Sequence, residues 1–166
     1  DWDRLEQAIN SNTRLIIINS PHNPCGSILH KADHDRLAVL IRDWNILILS
    51  DEVYEHMVFD GMKHESVLGH EALRAKSFAV FSFGKTYHAT GWKLAYCVAP
   101  EALMTEFRKI HQYVTFTTSS FVQYAIADFM AECPEHTRDL PDFYEEKRDL
   151  FCKLIAPSKL KLIPSK

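Results

Sequence analysis

Four short apolar runs set the limits on what this chain can fold into: residues 15–18 (LIII), 46–49 (ILIL), 78–81 (FAVF) and 94–98 (LAYCV). None alternates with polar residues, the pattern of strands buried on both faces rather than of a sheet with one wet side. Between the first two lies KADHDRLAVLIRD, where Leu37, Leu40 and Ile41 form an i, i+3, i+4 stripe behind an acidic first turn. That segment predicts a crossover helix. The unit is then β-α-β with a right-handed connection, and repeating it builds an open α/β sheet covered by helices. Only SFGKTYHATGWK separates the third and fourth runs. This is too short for a helical crossover, so the sheet is expected to be mostly parallel with the fourth strand antiparallel to the third.

Beyond Pro100 the pattern turns helical. Leu103, Phe107, Ile110 and Val114 share one face; Phe121, Ala125 and Phe129 share another, which Pro134 ends. A last amphipathic helix is expected to begin near Pro141, a residue tolerated in a first turn, with Tyr144, Lys147, Phe151 and Ile155 in line. The chain starts without methionine and ends in KLKLIPSK, where a further strand is expected to begin. It reads as a piece of a longer protein.

With 166 residues, 46% hydrophobic content and a net charge of -3, the chain can enclose one compact core. Acidic and basic residues are interspersed and the isoelectric point is about 6.3, so no nucleic acid partner is expected. No apolar run approaches the ~20 residues of a membrane-spanning helix, and no membrane partner is expected. The cysteines Cys25, Cys97, Cys133 and Cys152 lack C-x-x-C spacing and fall in separate elements. This argues against a zinc knuckle or a disulfide framework and fits a reducing, cytoplasmic setting. His22, His34, His56, His64, His70, His88 and His111 contain no set at metal-ligand spacing. No metal is expected, and these histidines are read as surface or loop residues.

In an open parallel sheet, ligands bind outside the carboxyl ends of the strands. Run one leads into NSPHNPCG, run two into SDEVYEH and run three into SFGKTYHATGWK. Asn23, Asp51, Tyr54 and Lys85 are therefore expected to converge on one crevice. Gly84-Lys85-Thr86 copies the tail of a nucleotide phosphate loop, but the position five before Gly84 is Ala79, so the amide-lined cradle cannot open. A second candidate role for Lys85 is a Schiff base with a carbonyl cofactor. Taken singly, Asn23 is a turn residue, Asp51 a cap or surface acid and Tyr54 a half-buried packing residue. The ordered set is what points to chemistry.

NSPHNPCG, SDEVYEHMVF and SFGKTYHATGWKLAYCVAP, within a stretch from Thr13 to Phe129, resemble the fold-type I aminotransferases that use pyridoxal 5'-phosphate. GKTYHATGWK is typical of their kynurenine/glutamine and methionine branch. The resemblance implies part of the family's large cofactor-binding domain over residues 1–131, with 132–166 a helix leading toward an absent C-terminal small domain. It implies that Lys85 carries the Schiff base and moves the proton, and that Asp51 keeps the pyridine nitrogen protonated. Tyr54 and Asn23 would bond the ring's 3-hydroxyl oxygen, and Ser82 and Lys93 the phosphate. Lys93 stands where arginine is frequent, so bidentate pairing is lost. Cys25 replaces a threonine and is expected to pack rather than react. Ala95 stands where glycine is usual and is expected to crowd the backbone near the phosphate.

The implied activity is ping-pong transfer of an amino group between an amino acid and a 2-oxo acid by a homodimeric parent, the isolated piece being inactive. Two alternatives stay open. A pyridoxal-phosphate-dependent carbon-sulfur β-lyase would share Lys85 and Asp51, and a nonenzymatic ligand-sensing domain could keep the fold. The donor's side chain is not legible, because the family's arginine for the substrate carboxylate lies in the C-terminal domain.

Overall fold

A computed structural model describes residues 1–163 and 165. Its centre is a sheet of four strands in chain order: β1 (Leu15–Asn19), β2 (Leu47–Asp51), β3 (Ser77–Ser82) and β4 (Ala95–Val98). β1, β2 and β3 are parallel and β4 runs antiparallel to β3, as the short connection requires. Helices α1 (Trp2–Ala8), α2 (Lys31–Leu40) and α3 (Glu71–Arg74) accompany the parallel strands, and α4 (Phe83–Thr86) opens the link to β4. The helices α5 (Glu101–Val114), α6 (Ser120–Glu132) and α7 (His136–Ile155) follow.

Strand order without a reversal has a geometric consequence. Each right-handed crossover between neighbouring parallel strands passes over the same face of the sheet. α2 and α3 therefore lie on one side, and the buried core is built there from Ile16, Leu37, Ile41, Ile48, Leu73 and Ala79. Trp2 and Leu5 of α1 pack against that same cluster. The expectation of strands buried on both faces is corrected: burial alternates along β2 and β3, and Leu15 and Ile17 of β1 are 45% and 66% exposed. On the open face Phe107 of α5 reaches Phe78, ring centroids 6.0 Å apart. The apolar faces of α5 and α6 form as the spacing predicts, but the described residues leave them largely open; Val114 and Phe121 are 78% and 88% exposed.

α7 differs from expectation at its start. It begins at His136, with Pro141 inside it. The first turn is set by Glu135, whose carbonyl accepts from the amides of Arg138 and Asp139 at 2.9 and 3.0 Å. Tertiary contacts then hold the segment helical despite the donor that proline lacks. His136 Nε2 lies 2.7 Å from the Thr86 carbonyl oxygen, Leu140 is buried, and Arg148 donates to both Asp60 oxygens at 2.9 and 2.8 Å.

One histidine is not the surface or loop residue the sequence suggested. His34 sits on the inner face of α2, one turn before Leu37, and is 3% exposed. The i, i+3, i+7 stripe His34, Leu37, Ile41 is what α2 buries, with Leu40 at its margin. His64 pairs with buried Glu52.

Burial pushes the His34 imidazole below its ordinary 6.5, partly offset by the negative charge of Glu52. An unfolded chain takes up a proton at that position near 6.5 while the folded one resists it, so stability falls as the pH drops below that value. The melting temperature is expected to decline from about pH 7 to about pH 5. His34→Leu should flatten that decline, measured by thermal unfolding across the range. An unchanged slope in the variant would assign the proton uptake elsewhere.

Candidate active site

β1 and β2 end level with each other, and β3 runs two residues further, to Ser82. Asn19 pairs with Asp51 across β1 and β2, and Asp51 with Val80 across β2 and β3. The loops that leave them therefore share one edge, the edge where an open parallel sheet binds ligands. The Asp51 carbonyl accepts from the Ser20 amide at 3.1 Å and from Asn19 Nδ2 at 3.0 Å. Asn19 Oδ1 in turn accepts the Asn23 amide at 3.1 Å. One strand-end side chain thus ties the loop carrying Asn23 to the strand carrying Asp51.

Asn23 Nδ2 donates to Tyr54 Oη at 3.1 Å, and the Lys85 ammonium lies 5.6 Å from the centroid of the Tyr54 ring. The three residues come from three different strand-end loops. Asp51 stands at the end of β2, one turn before Tyr54, with its Oδ1 accepting the Val53 amide at 3.3 Å. Ser82 closes β3 and caps α4, its Oγ accepting the Lys85 amide at 3.3 Å. The chain can turn so sharply here because Gly84 is buried against the next loop. A Cβ at that position would meet Thr90 Cα at 3.1 Å and the Ala89 carbonyl oxygen at 3.3 Å. Lys93 is exposed, with a left-handed φ of 54° after the 3-10 turn Thr90–Trp92. Among the described residues no hydrogen bond or ion pair joins its ammonium to the other five.

The loop after β1 carries a correction. Cys25 does not pack; it is exposed, 2.9 Å from His22 Nδ1 and 3.1 Å from Ser27 Oγ. The Ser27 contacts and then His22 bring the thiol down to about 7 from an ordinary 9.0, the direction that increases thiolate at neutral pH. Cys97, half-buried on β4, is pushed the other way by burial. Ala95 pairs with Ser82 across β3 and β4. Its side chain borders the open-face cleft with Val80 and Leu49.

Several polar residues here escaped the sequence reading. Asn19 is one, signalled only by being the first polar residue after an apolar run. Glu52 is another, and it is 1% exposed. Its Oε1 accepts from Ser50 Oγ at 2.8 Å and the Val67 amide at 3.1 Å, and its Oε2 lies 2.7 Å from His64 Nε2. Burial alone would push this carboxyl up, but hydrogen bonds from His64, Ser66 and Ser50 outweigh it and hold it below the usual range. Breaking such a buried pair by removing one partner costs about 3–5 kcal/mol. The signal was present in the period of two: Ile46, Ile48, Ser50 and Glu52 share the inward parity of β2. Glu55, further along the same loop, is pushed up by burial while accepting from Tyr96 Oη at 3.3 Å. Burial and then that carboxylate raise the Tyr96 phenol to about 12.

Two of the hollows near these residues contrast in their lining. One of about 320 Å³ is bordered by Pro21, His22, Asn23, Tyr54, Met57 and Phe59. The larger, about 590 Å³, lies on the open sheet face against Leu15, Leu47, Leu49, Phe78, Val80 and Phe107. Size does not select the site: the larger hollow is bordered almost wholly by apolar side chains, whereas the convergent polar groups stand at the strand ends. Among the described residues no cluster of histidine, cysteine and carboxylates could hold a metal ion, and no helix is long and apolar enough to cross a membrane.

The sequence and the fold both have known counterparts. The family model for aminotransferases of class I and II matches residues 1–166. The methionine aminotransferase of Escherichia coli is 46% identical over 164 residues, which cover 99% of this chain and 42% of that protein. Human kynurenine–oxoglutarate transaminase 3 is 32% identical over 174 residues, 98% of this chain and 38% of that protein. The crystal structure of Escherichia coli YbdL, reported with a methionine aminotransferase function, superposes with a TM-score of 0.95 at 45% identity, covering 99% of this chain and 44% of that one. The N-succinyldiaminopimelate aminotransferase of Mycobacterium tuberculosis superposes at 0.88 with 29% identity, over 94% and 41%. The chain spans less than half the length of each of these relatives. It belongs to the class I and II aminotransferase family.

Proposed function

We propose that the protein containing this chain moves an amino group between an amino acid and a 2-oxo acid, with pyridoxal 5'-phosphate carried on Lys85. The observation that carries this reading is the meeting of Asn23, Tyr54 and Lys85 at the carboxyl ends of three parallel strands, 3.1 and 5.6 Å apart pairwise through Tyr54. The family uses pyridoxal phosphate, and the donor set fits it: an amine for the aldehyde, a carboxylate for the pyridine nitrogen, a phenol and an amide for the ring hydroxyl, a hydroxyl and a cation for the phosphate.

When bound, the cofactor supplies an aldehyde and a ring that takes up the electron pair released at the substrate α-carbon. The chain does the rest. Lys85 would hold the cofactor through its amine and, when that amine is free, would accept and return the proton of the substrate α-carbon. Asp51 would keep a proton on the ring nitrogen. Tyr54 Oη and Asn23 Nδ2, already bonded to each other, orient the ring through its hydroxyl oxygen. The Ser82 hydroxyl and the Lys93 ammonium would hold the phosphate, whose charge the exposed Lys93 would neutralise.

A relative 46% identical to this chain is named for methionine, which makes methionine the first amino donor to test. The parent is proposed to be a cytoplasmic homodimer. Tyr113, Phe116 and Phe121, 85%, 82% and 88% exposed, are apolar surface that the rest of the parent or its second subunit would cover. Residues 1–131 are proposed to belong to the cofactor-binding large domain and 132–166 to lead toward a small domain.

Lys85→Ala in the full-length protein is expected to abolish both the visible absorbance of the cofactor-loaded form and amino transfer from methionine to a 2-oxo acid. An unchanged spectrum would move the covalent attachment to another lysine and sink the assignment. Asp51→Asn is expected to keep the cofactor bound yet slow the first half-reaction by ~10³-fold or more, about 4 kcal/mol of barrier. Single-turnover absorbance measures this, and a wild-type rate would reduce Asp51 to a cap for the Val53 amide.

A further inference from the structure

We propose that Glu52, held by His64, is a positioning residue that sets the orientation of the corner bearing Asp51 and Tyr54. The proposal rests on reading those two residues as cofactor contacts. Glu52 itself faces away from the site, into the protein, and is 1% exposed. It is the point where three pieces of chain are pinned together. Its amide donates to the Val80 carbonyl of β3 at 2.9 Å, which extends the parallel pairing past the last residue of β2. Its carboxylate spans the gap to the following segment, taking the Val67 amide at 3.1 Å through one oxygen and His64 Nε2 at 2.7 Å through the other. Its carbonyl accepts the Glu55 amide at 3.0 Å and so starts the turn on which Tyr54 rides, closed by the Met57 amide donating to the Tyr54 carbonyl at 2.8 Å.

Asp51 and Tyr54 flank this pinned residue. Any rotation of the 51–54 backbone that swung one out of the site would swing the other, and would also tear the Glu52 carboxylate from its partners inside the protein. The resistance comes from the carboxylate's lack of access to water: a buried charge cannot exchange a lost partner for solvent. His64 matters because its side chain is only 12% exposed and it supplies the donor to the second oxygen, which neither Ser50 nor Val67 contacts. The arrangement is the protein-only counterpart of the outer-shell bonds that orient ligands in metal sites. Displacing a catalytic group by about 1 Å can cost ~100-fold in rate, so a corner of this kind is worth fixing.

The test uses the full-length protein and the variants Glu52→Ala, Glu52→Gln, His64→Leu and His64→Gln. In the cofactor-free form, hydrogen–deuterium exchange is expected to speed up at the amides of Val53, Glu55 and Met57 in Glu52→Ala and His64→Leu, with the β1 amides unchanged. With pyridoxal phosphate added, both variants are expected to retain the Lys85-dependent absorbance while the half-reaction with methionine slows by ~100-fold. The two glutamine variants keep a donor or acceptor of similar reach and should recover to within about tenfold of wild type. Should Glu52→Ala fail to fold, His64→Leu, which leaves the carboxylate in place, carries the same comparison. A lowered melting temperature accompanied by wild-type exchange at 51–57 and a wild-type half-reaction would make the pair merely structural and overturn the proposal. If the wild-type protein forms no Lys85-dependent absorbance, the aminotransferase reading falls instead, and the exchange of the cofactor-free variants still decides whether Glu52 fixes the corner.

Discussion

The in-register pairing of three parallel strands is the constraint on which the rest of this structure depends. Because Asn19, Asp51 and Val80 stand side by side in register and β3 runs only two residues further, the segments that follow leave from one edge and can meet without long excursions. A shift of one residue in β2 would turn Asp51 inward and Glu52 outward, since successive side chains point to opposite faces. Register here decides which carboxylate meets the site and which meets the core. The two neighbours are chemically alike, and parity alone gives them different surroundings.

Those surroundings sort the titratable groups. Glu52 stays charged inside because hydrogen bonds outweigh the penalty of burial, whereas Glu55, with fewer donors, is pushed toward its neutral form. Cys25 and Cys97 divide in the same manner: the exposed thiol beside Ser27 and His22 is lowered, and the half-buried thiol on β4 is raised. Polar partners rather than residue type set each outcome. The loop after β1 therefore carries the more acidic thiol next to Asn23, the residue that bonds Tyr54.

The two faces of the sheet have unequal fates. Right-handed crossovers without a reversal of strand order put α2 and α3 on one side, and that side is dry. The other bears a cleft of about 590 Å³ walled by strand residues and Phe107. The aliphatic parity of β1 and β2 suits burial there as well, and the chain matches under half of the length of its relatives. The strands are thus composed for a sheet with cover on both sides, and the described residues furnish it on one.

Much was legible in the sequence because it depends on short-range rules. Apolar runs without alternation specify strands, an i, i+3, i+4 stripe specifies the crossover helix, and a connection too short for a crossover makes β4 antiparallel. The proposed carriers of chemistry were legible too, since an open sheet binds ligands at its strand ends and Asn23, Asp51, Tyr54 and Lys85 stand there. What the tertiary structure alone decided involves contacts between segments far apart in the chain. His64 meets Glu52 and His136 meets Thr86 only after the sheet has formed, and Pro141 is tolerated inside α7 because that helix is held at several points along its length. His34 is buried because the sheet side of α2 includes it. Local sequence determines which elements form and which side chains they present. Which of those side chains lose water depends on what packs against them, and that information is spread over the whole chain.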